Sequence, residues 1–156
     1  MVHVEHGQVS PGRLVVIRLD PGEDLLRSLQ KVCEERGLRY GVIVAGYGAL
    51  RKVRYHAITG TDYPPQDRQA EQEMPLELVS LQGIIADGNI HAHIGVSTLE
   101  KAFGGHLEPG TEVAYLAEIA ILEVAQGELK RGKHPELNTD YLHIKSSRAA
   151  APEEAR

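Results

Sequence analysis

Apolar and polar residues alternate strictly over Asn89–Ser97. Ile90, Ala92, Ile94 and Val96 fall on one side; His91, His93, Gly95 and Ser97 fall on the other. A period of two marks a half-buried strand. Residues 14–19 form a β-branched run and read as an earlier strand, and residues 41–45 are apolar enough for a strand buried on both faces. Lys52, Arg54 and His56 then alternate with Val53, Tyr55 and Ala57, which predicts a third strand. Residues 76–86 form a long apolar strand with Gly83 at a bulge, and Asp87-Gly88 turns it back into the histidine strand. Residues 113–124 read as another long strand, with Glu118 on the face that carries Leu116, Ala120 and Leu122. One segment keeps a helical period instead: Leu25, Leu29, Val32 and Cys33, with Leu26 alongside. Asp20 is placed to cap this helix, Pro21 to open it, Glu23 to complete a capping box and Gly37 to end it.

The intervening segments read as punctuation. Gly46-Tyr47-Gly48 predicts a tight turn between strands. Residues 59–75 are polar, contain Pro64, Pro65 and Pro75, and predict a long loop. Residues 99–103 suit a helical turn before Gly104-Gly105-His106, where the glycines predict a turn carrying the histidine. Beyond Gly127 the chain becomes polar and partly basic, and residues 146–156 read as a disordered tail. The expectation is one domain over residues 1–145, of the α+β, two-layer class. It has a mixed, largely antiparallel central sheet and one main helix packed on it.

Composition narrows the function classes. The chain has 156 residues and a formal net charge of −5, which argues against a surface built to wrap nucleic acid. Aromatic residues are 4 % and tryptophan is absent, so the core must rest on Leu, Ile, Val and Ala. The single cysteine, Cys33, excludes an intrachain disulfide and lies on the apolar stripe of the helix, where an inert buried thiol is expected. No basic segment with an apolar run opens the sequence and no stretch approaches a membrane span, which predicts a cytoplasmic protein.

The candidate chemistry lies with histidines. Two imidazoles on neighbouring same-face positions of a strand sit about 7 Å apart at Cα. Their rings can converge on one ion, and a third from the glycine turn completes a set of His91, His93 and His106. Neutral imidazoles suit zinc and other late divalent metals, and three protein ligands leave one coordination position open. A water there supplies hydroxide near neutral pH, so a zinc-dependent enzyme acting on a small molecule is the alternative to a purely binding role, with Glu118 or Glu100 as a base. Other signals are weaker. Gly46-Tyr47-Gly48 lacks the third glycine and the helix of a dinucleotide fingerprint. No Gly-x-Ser-x-Gly elbow is present, and Ser80 and Ser97 lie within strands. His3, His6, His56, His134 and His143 read as isolated, solvated side chains. The basic clusters Arg51-Lys52-Val53-Arg54 and Lys130-Arg131-Gly132-Lys133 read as ordinary surface charge.

Five motifs in order resemble the PPC domain, found alone in bacteria and archaea and joined to AT-hooks in plants. They are Arg18-Leu19-Asp20-Pro21-Gly22-Glu23-Asp24-Leu25, Gly46-Tyr47-Gly48-Ala49-Leu50, Glu77-Leu78-Val79-Ser80-Leu81-Gln82-Gly83, Asp87-Gly88-Asn89-Ile90-His91-Ala92-His93, and Phe103-Gly104-Gly105-His106-Leu107. The resemblance implies a compact domain with a central, largely antiparallel sheet and homotrimeric assembly. It also implies a metal on His91, His93 and His106, and an association with DNA, directly or through a DNA-binding protein. The Arg-Gly-Arg-Pro hook that reads the minor groove in the plant proteins is missing from this sequence. The resemblance therefore implies a metal-binding regulatory or interaction domain whose link to DNA is weak or indirect.

Overall fold

The structure, a computed structural model, describes residues 4–134 and 139–147. The elements run β1 (Ser10–Leu19), α1 (Leu25–Glu35), β2 (Gly41–Ile58), β3 (Asp67–Ala86), β4 (Asn89–Ser97), β5 (Ala102–Leu107), β6 (Glu112–Gln126), β7 (Glu128–Lys133) and β8 (Asp140–Lys145). Six strands form one sheet in the order β1-β6-β2-β3-β4-β5, and β5 also pairs with β2. That extra pairing closes β2, β3, β4 and β5 into a ring. β7 and β8 make a separate hairpin. Every described pairing is antiparallel, so the sheet is not mixed. With one helix on it, the architecture is α+β as the pattern predicts.

The inward side of the alternation builds the core. Val15, Ile17 and Leu19 of β1, Ala117, Ile119 and Ile121 of β6, and Ala92, Ile94 and Val96 of β4 all pack into one cluster with Leu25, Leu29 and Cys33 of the helix. The core is aliphatic, as the composition requires. The helix starts later than expected. Asp24, not Asp20, is the N-cap, its side chain accepting from the Arg27 amide at 3.0 Å. Pro21 and Gly22 instead form a turn before the helix. The reason is tertiary: Gly22 N–H donates to the Val113 carbonyl and Leu25 N–H to the Thr111 carbonyl, which stitches this segment to the start of β6 before the helix can begin.

Three further expectations are corrected. Gly46-Tyr47-Gly48 does not end a strand; β2 runs through it for 18 residues. Register shifts between Ile43 and Ala45 and between Gly48 and Leu50 bend the strand without breaking it. At Gly48 a Cβ would lie 2.3 Å from the Leu116 carbonyl oxygen, so glycine lets β6 approach the bend. The long loop shrinks to residues 59–66, because β3 begins at Asp67 and pairs with the second half of β2. Residues 67–75 are polar because most of their side chains face solvent in this extension, where Glu71 meets both Lys52 (3.0 Å) and Arg54 (3.2 Å). Residues 99–103 form no helical turn: Thr98 Oγ1 accepts from the Glu100 and Lys101 amides, and β5 starts at Ala102.

The β7–β8 hairpin lies in the stretch read only as polar and partly basic. Of the expected tail, Ser146 and Ser147 are tied back: the Ser147 amide donates to the Gln8 carbonyl and the Gln8 amide to Ser146 Oγ. Residues 148–156 lie outside the described residues. Among the described residues no helix is long and apolar enough to cross a membrane.

Candidate metal centre

Ring closure of the sheet builds the candidate site. On β4, Ala92 and Ile94 are buried while His91 and His93 point to the other face, as the alternation predicts. His106 lies within strand β5, not in a turn. It stands directly opposite His93 on one side and His56 of β2 on the other. Directly paired residues share a face, so three histidines form a single row across β4, β5 and β2, with His91 two positions along from His93.

Gly104 and Gly105 make this row possible. A Cβ at Gly104 would lie 1.9 Å from the Ile94 carbonyl oxygen, and one at Gly105 would lie 2.3 Å from that of His56. Only side-chain-free backbone lets β5 sit this tightly between β4 and β2. The Gly-Gly preceding His106 is thus a packing device rather than a turn signal.

The four rings converge on His106. Its centroid is 4.3 Å from that of His56 in a stacked arrangement, 4.5 Å from His91 edge-on, and 5.5 Å from His93. His91 and His93 are 5.5 Å apart. The structure therefore brings all three predicted residues together and adds a fourth that the sequence reading placed in solvent. It also adds a carboxylate. Glu108 Oε1 is 2.6 Å from His56 Nδ1 and 3.7 Å from His106 Nδ1. The ligand atoms of His56, His106 and Glu108 lie within 4.8 Å of one another.

Glu108 is held by the turn that follows β5. Thr111, fully buried, accepts the Arg54 amide on its hydroxyl oxygen at 3.0 Å. That hydroxyl lies 3.1 and 3.2 Å from the carbonyls of Arg54 and Glu108. The Glu108 amide donates to the Arg54 carbonyl. His56 on β2 and Glu108 just after β5 have no local relation in the sequence; only the β2–β5 pairing relates them.

The electrostatics favour neutral imidazoles. Burial, followed by the positive charge of Arg131 and then by the neighbouring histidines, pushes His91 down to about 4. Burial and His56 also lower His106, against the opposing pull of Glu108. A neutral ring offers a lone pair to a metal. His106 Nδ1 is 3.0 Å from the Leu107 carbonyl oxygen and faces Glu108, which leaves Nε2 as the ring nitrogen open to a ligand. The donor set thus fits a late divalent metal. The bases considered from sequence are not part of this cluster. Glu118 accepts a hydrogen bond from the Tyr47 hydroxyl, and Glu100 lies in the turn at Thr98. A separate groove of about 640 Å³ is lined by Arg51, Met74, Pro75, Thr98, Leu99 and Tyr115 among others, and no histidine lines it.

The profile of the Plants and Prokaryotes Conserved (PCC) domain matches residues 6–125, from before β1 to the end of β6. The chain belongs to this family. A protein from Salmonella cholerae-suis has the same fold, with a TM-score of 0.79 and 27 % identity over 92 % of this chain and 99 % of its own. The metal-containing protein AF0104 of Archaeoglobus fulgidus shares the fold at a TM-score of 0.76, with 23 % identity over 88 % of this chain and 98 % of its own. The bifunctional protein GlmU of Synechococcus sp. (strain JA-3-3Ab) is 28 % identical over 142 residues, which are 90 % of this chain. The chain spans only 22 % of that relative's length. The PCC-domain motifs read from the sequence thus lie on β1 and the helix start, the β2 bend, β3, the β3–β4 turn and β5. The last two carry His91, His93 and His106.

Proposed function

We propose that this protein is a metal-binding PCC domain that assembles with copies of itself and serves as a regulatory or interaction module. The metal, with zinc the first choice, is held by His91, His93 and His106. One observation carries this reading: those three rings meet on one sheet face with centroids 4.5–5.5 Å apart. Glu108 and His56 then act from behind His106, the carboxylate fixing which ring nitrogen faces the metal. The metal-containing archaeal protein of the same fold supports the reading.

A homotrimer is the assembly proposed. Support comes from the sheet face opposite the core, where the rows Leu14–Leu122–Val42 and Val16–Ala120–Ala45 cross β1, β6 and β2. Leu14, Val16 and Val44 are 60 %, 73 % and 49 % exposed on a single chain. Exposed apolar patches of this kind mark association surfaces. The acidic balance, −5 overall, supports a DNA association through partners of this protein rather than through its own surface. A reduced, cytoplasmic setting suits the free Cys33.

Elemental analysis of untagged protein tests the reading. About one metal per chain is expected in the wild type, and much less in His91→Ala and His93→Ala. Equal content in all three overturns it. A metal-dependent enzyme remains the second reading, favoured by the partial exposure of the cluster, with His106 at 24 % of its side chain. Three imidazole ligands leave the open position that such chemistry needs.

A further inference from the structure

The β7–β8 hairpin lies beyond the residues matched by the family profile. Leu129, Leu142 and Ile144 of this hairpin pack in one cluster with Ile84 and Val124. Ile84 is the direct cross-strand partner of His91. Because such partners share a face, the hairpin docks on the histidine side of the sheet, beside His91.

The basic residues of β7 do not behave alike. Lys130 reaches Glu128 at 2.9 Å, and Lys133 reaches Asp140 at 3.2 Å. Arg131, between them, is half-buried, and its Nε is buried with no hydrogen-bond partner. Among the described residues Asp140 acts on its charge, and that carboxylate is already held by Lys133. Arg131 pairs directly with Leu142, which packs with Ile84, so its side chain leaves the hairpin on the face that meets the histidine side of the sheet. A buried donor without a partner is costly, so an orphan in a native structure calls for a partner that binds there.

We propose that Arg131 and the cluster of His91, His93 and His106 form one binding site for a small oxyanion, a carboxylate or phosphate group held between the metal and the guanidinium. The inference rests on the metal reading above and extends it to a ligand class. Two arguments converge. A guanidinium beside a divalent cation is repulsive unless an anion lies between them. Arg also presents a rigid fork of donors that matches two oxygens of a carboxylate or phosphate, and its Nε is free for that pairing.

The test uses cobalt(II)-loaded full-length protein, whose visible absorption reports the coordination sphere. Acetate and inorganic phosphate are titrated in separate arms into the wild type, Arg131→Gln and Arg131→Lys. Metal content and thermal melts are measured for each. The expected result is equal cobalt content and similar melts in all three, with an anion-dependent spectral change in the wild type. Anion affinity should fall about tenfold or more in Arg131→Gln. It should recover in part in Arg131→Lys, which keeps the charge but not the fork. A stronger response to phosphate or to acetate names which oxyanion the site prefers, and either supports the proposal. Equal cobalt content with identical anion titrations in wild type and Arg131→Gln overturns this inference alone. Failure of the wild type to take up cobalt overturns the metal reading, and the anion site with it. Should Arg131→Gln melt far below the wild type, Arg131→Lys decides: wild-type anion affinity there overturns the demand for the guanidinium fork.

Discussion

His106 of β5 and His56 of β2 stand directly opposite each other, their rings stacked at 4.3 Å and 15° from parallel. Fifty positions separate them in the chain, and the closure of the β2–β5 edge brings them together. Through that contact Glu108 and His56 reach the three-histidine face, and His106 becomes the ring next to every other member of the cluster.

His106→Ala is therefore expected to be the most damaging of the cluster substitutions. It removes one imidazole ligand and also the partner of His56 and Glu108. Metal content by elemental analysis of untagged protein should fall to background in His106→Ala. Chelation of the wild type should lower its melting temperature, since a metal bound only by the native state stabilises it by mass action. An unchanged melt after complete chelation contradicts metal-linked stability.

Glu108→Gln and His56→Ala separate two arrangements of ligands. With the metal on His91, His93 and His106, Glu108→Gln loses only an orienting partner and weakens metal binding about 10–100-fold. His56→Ala then keeps near-full occupancy at saturating metal. If His56→Ala loses the metal while His91→Ala keeps it, the ion sits instead among His56, His106 and Glu108. Competition titration with a chromogenic chelator reads both.

Val16→Glu places a charge in the middle of the exposed apolar rows. Sedimentation should report three times the 17.1 kDa chain mass for the wild type and a single chain for the variant. A wild type that sediments as one chain at micromolar concentration contradicts the trimer.

Asp24 joins the helix to the turn before β6. One oxygen accepts from the Arg27 amide at 3.0 Å and the other from the Gly110 amide at 2.7 Å. Asp24→Ala should cost about 1–3 kcal/mol in denaturant unfolding, from the lost cap and the lost link together. Asp20→Ala, at an exposed position outside the helix, should change stability little.

Cys33 supplies a pH prediction. Burial, with a smaller contribution from Glu34, pushes its thiol up to about 11 from an ordinary value near 9. The native thiol stays protonated at pH 8–9, so alkylation by iodoacetamide should be slow in folded protein and fast in denaturant. The folded value lies above the unfolded one. The stabilisation is therefore present below pH 9 and is lost progressively as pH rises from 9 towards 11. Alkylation at the free-thiol rate in native protein contradicts this placement.

Period-two alternation in residues 89–97 by itself placed His91 and His93 on one face and Ala92, Ile94 and Val96 in the core, because side-chain direction in a strand is a local property of the backbone. Helical spacing did the same for Leu25, Leu29 and Cys33, and Asp87-Gly88 marked the β3–β4 turn. What alternation cannot encode is which strands pair, in what register, and how far a polar segment extends as strand. Those are set by packing between distant segments. Gly48 lies at a bend of a continuous strand because β6 presses against it, Gly46 leaves room for Leu81 of β3, and residues 67–75 are strand because β2 offers them a partner. The pairing of β5 with β2 decided that His56 belongs with His106. The docking of β7–β8 on Ile84 decided that the hairpin carrying Arg131, in sequence one of several surface cations, lies on the histidine side of the sheet. His91 and His93 were legible as a pair from their own strand; that His106 stands opposite His93 within a strand, beside His56 and Glu108, was decided only when the sheet closed.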